Sequence, residues 1–240
     1  MTQLPTGSFY GQNLSGIWVL DKGLSTNLEE SIKIQAQGGI PSLALKLLLL
    51  APVSETITET TNKDVTRGFV VAGKAAGLKG PTRTFDATGQ EVVQDRDGGH
   101  GFFSKLFGLG SKDDPNDTKG RARMWSQWVD LSSKSSIWCS SVESKERMTT
   151  LKHPATGEPL DGYVLEDWSL EGGDGPGKEG MTNFLVFGEK DGMREAMIWG
   201  FCRIGGKRFR AIRYHARKGD REVKARLVFG WGGKMEKVKE

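Results

Sequence analysis

The chain has 240 residues, 36% of them hydrophobic and 27% charged, with a mean hydropathy of −0.45; a disordered tail is excluded, and a soluble globular chain of one large domain or two small ones is described. The 33 glycines against 8 prolines exclude collagen-like and proline-rich segments and ask for many tight turns. The net charge of +4 conceals an asymmetry, because residues 194–240 carry +9 and the remainder −5, so the basic end needs its own explanation. Two cysteines, Cys139 and Cys202, are too few for a disulfide framework. The opening MTQLPTGSFYGQ has neither the basic start nor the apolar core of a secretory leader. A reducing, cytoplasmic location is expected. The longest apolar run, Ile40 to Val53, is broken by Pro41, Ser42, Lys46 and Pro52 and is too short to span a bilayer.

In chain order, Leu14, Ile17, Trp18, Val19 and Leu20 predict a first strand, with turn formers from Asp21. A helix follows, capped by Thr26 or Asn27, with Glu29 and Glu30 in its first turn and Leu28, Ile32 and Ala36 as a stripe; Gly38 and Gly39 end it. A second short helix starts at Pro41, carries Leu43, Leu47 and Leu50 at helical spacing, and stops at Pro52. From there β-branched and aromatic runs alternate with Gly, Asp, Asn and Lys. Strands are predicted at Val53 to Thr61, Val65 to Val71, Thr82 to Asp86, Glu91 to Asp95, Ala122 to Leu131, Ile137 to Val142, Gly162 to Leu170, Phe184 to Phe187, Glu195 to Ile204, Lys207 to Arg217 and Glu222 to Trp231. Hairpin turns fit Ala87 to Gly89, Gly205 to Gly206 and Lys218 to Asp220. So many sequential strands close into a barrel or stack as a sandwich to hide their edges. Two loop insertions, 98–120 and 172–180, interrupt the meander, and without an internal repeat or a linker the 240 residues read as a single domain.

The stretch LSGIWVLDKGLSTNLEESIKIQAQGGIPSLALKLLLLAPVSETITET, with the tail MIWGFCRIGGKRFRAIRYHARKGDREVKARLVFGW and the pieces GPTRTFD and GRARMWSQWVDL, resembles the calycin superfamily, and in detail fungal lipocalin-like and cytosolic fatty-acid-binding proteins. The resemblance implies an all-β fold, an antiparallel up-and-down β-barrel with a two-helix lid over 26–51 after the first strand. It also implies that Gly16 and Trp18 plug the closed end, with Arg226 lying across the Trp18 ring as a cation-π clamp. In the fatty-acid-binding branch an arginine and a tyrosine two residues on hold the ligand carboxylate; here Val228 follows Arg226 at that spacing, which breaks the match.

Strand alternation sorts the remaining candidates into faces. Val223, Ala225, Leu227, Phe229 and Trp231 share one face, leaving Arg226 on the other. In the preceding strand Phe209, Ala211, Arg213 and His215 share the face with the smaller polar load. Arg213 with His215 is therefore the expected polar anchor of an apolar pocket, and Arg210 and Tyr214, on the opposite face, complete the polar candidates. Trp199, Trp125 and Trp128 are the candidate flat walls for a bulky ligand. His100, His153 and His215 lack ligand-like spacing and no CxxC pair exists, so no metal is expected; no nucleophile turn, P-loop or dinucleotide motif appears, so no cofactor is expected either.

Two functions follow. One is binding of a small hydrophobic ligand, a fatty acid or bulky metabolite, inside the barrel cavity. The alternative is a cofactor-free cyclase or isomerase, such as a pericyclase of natural-product biosynthesis, that folds its substrate in the same cavity and donates a hydrogen bond. The basic end interleaves cations with Phe209, Tyr214 and Phe229, yet charges at alternate strand positions form a solvated face, so no nucleic-acid partner is expected. Phe102 to Leu109 could touch a membrane transiently, or cap the barrel mouth. A monomer or a homodimer would serve either function.

Overall fold

The computed structural model describes residues 14–35, 41–61, 67–75, 77–86, 88–94, 122–129, 152–154, 156–166, 168 and 183–233. The strand expected at Ile137 to Val142, the two loop insertions and the Phe102 to Leu109 segment lie outside them. Strand β1 (Gly16–Thr26) leads into helices α1 (Leu28–Gln35) and α2 (Ser42–Leu50). Then come β2 (Val53–Thr61), β3 (Arg67–Ala75), β4 (Leu78–Phe85), β5 (Thr88–Gln94) and β6 (Ala122–Val129). Helix α3 (Gly162–Leu165) precedes β7 (Asn183–Lys190), β8 (Met193–Ile204), β9 (Lys207–Lys218) and β10 (Arg221–Gly233). No helix among the described residues is long and apolar enough to cross a membrane.

The ten strands form one antiparallel sheet in the order β4-β3-β2-β1-β10-β9-β8-β7-β6-β5. Asp191 and Gly192, and Gly205 and Gly206, all have positive φ, the backbone a two-residue hairpin needs to match strand twist; they fix the registers of β7 with β8 and of β8 with β9. The expected closed barrel does not form. Among the described residues the sheet is open, because its end strands β4 and β5 pair with β3 and β6 but not with each other. Pro81 in β4 has no N–H to offer a further strand, and β5 is only seven residues long, two ways of leaving an edge unpaired without inviting another chain.

The open sheet curls until its inner face packs on itself. Phe69 of β3 lies 4.6 Å from Phe184 of β7 and stacks on Trp199 of β8 at 6.3 Å, Phe85 of β4 meets Trp199 at 5.1 Å, and Trp18 of β1 meets Phe201 at 5.8 Å. These rings pack against one another across the inner face, and no closed barrel cavity is left for a ligand. The two helices are not a lid over such a cavity either. Ile32 and Ile34 of α1 and Leu45 of α2 belong to the same core cluster, and α1 packs on β9 and β10. Glu29 and Glu30 sit in the first turn of α1, each in an ion pair with Lys33. Lys22 of β1 donates to the carbonyls of Leu48, Leu49 and Ala51, closing the end of α2 where the helix dipole favours a cation.

The inner face also holds charge. Arg210 of β9 pairs with Glu55 of β2, both fully buried, and its guanidinium lies 4.0 Å from the Phe229 ring centroid, 5.5 Å from Trp199 and 5.7 Å from Trp18. Burial pushes the Glu55 carboxyl up against the pull of Arg210 and Arg83. Further along, Glu195 and Tyr214 face Arg83; burial raises both, and the Glu195 carboxylate adds to the rise at Tyr214. Gly188 gives Glu195 its place, since a Cβ there would meet the Glu195 side chain at 2.7 Å.

Candidate functional site

A second apolar cluster, Trp125, Val129, Val164, Leu185, Phe187, Ala196 and Ile198, lies on the outer face of β6, β7 and β8. It is covered by a strap made of residues 152–154, 156–166 and 168, whose Leu160, Tyr163 and Trp168 pack against it. The segment from Gly162, expected as a strand, is a short helix because the Asp161 side chain accepts from the Tyr163 N–H at 2.8 Å and caps it.

Register places the outer side chains in rows. In the first, Arg123, Glu189, Arg194, Arg217 and Glu222 follow one another across β6 to β10; in the second, Trp125, Phe187, Ala196, His215 and Lys224; in the third, Gln127, Leu185, Ile198, Arg213 and Arg226. The strap is fastened row by row. A tight turn, closed by His153 N–H to Glu158 O and Gly157 N–H to His153 O at 2.8 Å each, seats the His153 imidazole edge-on between Trp125 at 5.6 Å and Phe187 at 5.0 Å. Burial there lowers the His153 pKa. Glu158 pairs with Arg194 at 2.6 Å and Asp161 with Lys224 at 2.7 Å. Arg213 donates to the Tyr163 carbonyl at 2.9 Å with its guanidinium 4.9 Å above the Tyr163 ring. Trp168, whose indole N–H bonds Val164 O at 2.8 Å, lies against Gly200, where a Cβ would come within 2.9 Å of the ring.

Between this strap and the sheet lies a cleft of about 400 Å³. Phe187, Ala196, Pro159 and Leu160 give it apolar surface; Arg194, Arg217, Glu158, Asp161, Glu222, His153 and His215 surround it with charge and imidazole. His215 Nε2 is 2.7 Å from Glu222 Oε1, and that bond holds the Glu222 carboxyl below its usual range. Burial works to raise Asp161, but Lys224 and the Tyr163 N–H outweigh it and hold it low, while Asp161 raises Lys224. Arg194 and Arg217 are directly opposed across β8 and β9, a like-charge pairing that costs stability by itself. Glu158 neutralises Arg194, whereas exposed Arg217 makes no salt bridge to the described residues and has Glu222 as its strand neighbour.

The residues singled out by the sequence are thereby dispersed. Arg210, Tyr214, Trp199 and Trp18 lie in the filled inner core, and the guanidinium over the Trp18 ring is that of Arg210. Arg226 is on the outer face, where it donates to Leu24 O at 3.4 Å. Gly16 lies where a Cβ would run into the Trp231 ring. Arg213 holds the strap, Trp125 lies beneath His153, and His215 lines the outer cleft; the side chain of Trp128 lies outside the described set. Asp161, Arg194, Arg217 and Glu222 were missed, although the two-residue turn at Gly205 and Gly206 suffices to place Arg194 opposite Arg217.

Without a closed barrel cavity, neither a hydrophobic ligand nor a folding substrate has a place inside, and both the carrier and the cyclase or isomerase expectations fall. The calycin resemblance falls with the open sheet. Compared with known proteins, the chain matches no family model, no curated protein and no solved structure.

Proposed function

We propose that the protein binds a small anionic molecule, bearing carboxylate or phosphate, in the outer cleft beneath the strap. The observation that carries this reading is the opposed Arg194 and Arg217 pair at the wall of that cleft. An anion between the two guanidiniums relieves their repulsion and accepts charge-assisted, bidentate hydrogen bonds, while Phe187 and Leu160 offer apolar contact to the rest of the ligand. A charge-assisted bond contributes about 1.5–3 kcal/mol, so Arg217→Gln weakens binding roughly 10- to 100-fold. Calorimetric titration with inorganic phosphate, citrate and a neutral triol of similar size tests it. Binding of the anions alone, lost in Arg217→Gln, is expected; no anion binding at millimolar concentration refutes it.

A second reading draws on helix α2 and the β3–β4 hairpin. Leu43, Leu47 and Leu50 of α2 are 69%, 59% and 80% exposed, and Leu78, at the β3–β4 hairpin, is 73% exposed. The hairpin lies beside the end of α2 because Val53 pairs with Ala75 and Ala75 with Leu78. Exposed Lys46, Lys74 and Lys79 flank these leucines. Leucines to enter the acyl boundary and lysines to meet head groups fit docking to an anionic lipid surface. Co-sedimentation with phosphatidylserine vesicles, abolished by Leu47→Glu and weakened by salt, is expected; equal retention on neutral vesicles refutes the electrostatic half.

A further inference from the structure

We infer that Asp161, His215 and Glu222 form a seat for one divalent transition-metal ion. The three come from the strap, β9 and β10, and one ligand atom of each lies within 4.8 Å of the others. Bonds of about 2.0–2.2 Å to nitrogen and oxygen separate neighbouring ligand atoms by roughly 3–3.5 Å, so the 2.7 Å contact of His215 with Glu222 opens slightly and the widest pair closes, by side-chain rotations on the order of an ångström. Asp161 Oδ1 is already fixed by the Tyr163 N–H at 2.8 Å, which leaves Oδ2 to face the cluster, the outer support that orients a metal-binding carboxylate. One imidazole and two carboxylates suit zinc, manganese, cobalt or ferrous iron. Three protein ligands leave the remaining positions open toward the cleft.

The place already attracts a cation. Lys224 Nζ lies 2.7 Å from Asp161 Oδ2 and 3.8 Å from Glu222 Oε1. Its side chain is 40% exposed and free to swing into solvent, so metal binding is an exchange of one ammonium for one divalent ion. The ion then adds positive charge beside Arg217, the strand neighbour of Glu222. The inference does not rest on the anion reading, since the metal is the only probe in its test.

Full-length protein, stripped with a chelator that is then removed, is titrated with zinc or manganese chloride alone and followed by calorimetry. One site per chain is expected. His215→Ala and Asp161→Asn each weaken it at least about 10-fold. Lys224→Met tightens it about fivefold or more, because a competing positive charge is gone. The lysine variant keeps the test decisive if a ligand variant unfolds. A parent that binds neither metal below millimolar, binding unchanged in His215→Ala, or Lys224→Met loosening the site would each overturn the assignment. Failure of phosphate to bind the metal-free protein touches only the anion reading.

Discussion

Arg210→Met isolates the ion pair at the centre of the inner core. In the parent, the Arg210 guanidinium is enclosed by Glu55, Phe229, Trp199 and Trp18, and both charged side chains are fully buried. Methionine refills most of the volume and keeps contact with the rings, so the cost falls on Glu55, which loses its hydrogen-bonded counter-charge and keeps only the coulombic pull of Arg83. Breaking a buried pair costs about 3–5 kcal/mol. An independent bound agrees: Glu55 escapes by taking a proton, and at pH 7 this costs about 3.7 kcal/mol, given a free glutamic acid pKa near 4.3 and about 1.36 kcal/mol per unit. Burial already pushes Glu55 up, and loss of Arg210 pushes it further. The folded variant then holds a proton that the unfolded chain releases above about pH 4.3, so its stability falls as pH rises. The deficit against the parent is largest at neutral pH and shrinks by about 1–2 kcal/mol at pH 5.5. Glu55→Met with Arg210→Met removes both charges and returns to within about 1 kcal/mol of the parent. Urea unfolding, followed by tryptophan fluorescence at the two pH values across the double-mutant cycle, measures all of this. A single variant that loses less than about 1 kcal/mol at pH 7, or a double variant as damaged as the two singles summed, refutes the buried-pair reasoning.

Three further outcomes are expected on the outer face. Burial lowers the His153 pKa below that of the unfolded chain, so the strap's hold is full above about pH 6.5 and weakens as pH falls through the lowered value; amide exchange of residues 152–165 should accelerate between pH 7.5 and 5.5, and His153→Phe should remove that acceleration. Gly200→Ala forces a Cβ against the Trp168 ring and the Asn183 amide, an overpacking worth about 1–3 kcal/mol, readable as a lower urea midpoint; an unchanged midpoint would show that Trp168 does not press on the sheet. Arg213→Gln loses the bond to Tyr163 O and the contact with its ring and should cost about 1–3 kcal/mol, with faster exchange confined to the strap.

Much of the strand order was legible because the turns announced it. Val53–Thr61 is the strand expected at that place, and the glycine hairpin of β8 and β9 falls where its two left-handed residues require it. The two faces of β9 were also separable by alternation, but the choice of the inner one inverts. Polar load argued that Arg208, Arg210, Ile212 and Tyr214 face water, whereas Ile212 and Tyr214 lie in the core and Arg210 is buried. What decides the matter is Glu55, 155 residues away in sequence, together with three rings from β1, β8 and β10; no local rule weighs a partner that only the tertiary fold supplies. Asp161 shows the opposite case. Its capping bond spans two residues and is readable locally, yet the four helical residues after it are too few to show a period, and their apolar letters read equally as strand.

The filled interior determines where function can reside. A curled sheet that packs Phe69, Phe85, Phe184 and Trp199 against one another spends its inner face on stability, and the same rings cannot line a cavity. A ligand inside would have to displace ring contacts of about 0.5–1.5 kcal/mol each beyond their burial. The outer face of β6 to β10 is different. There the strap covers the apolar part of the second and third rows, Trp125, Phe187, Ala196, Leu185 and Ile198, and leaves Arg194, Arg217 and Glu222 of the first row at a cleft. Stability alone does not require two arginines to be opposed at that mouth; a glutamate in place of Arg217 would pair with Arg194 on one side at the cost of facing Glu222 on the other. Arg217→Glu exchanges one like-charge and one opposite-charge pair for another of each, so it is expected to leave the urea midpoint near that of the parent while abolishing anion binding, and anion binding that survives it would count against assigning this pair to a ligand.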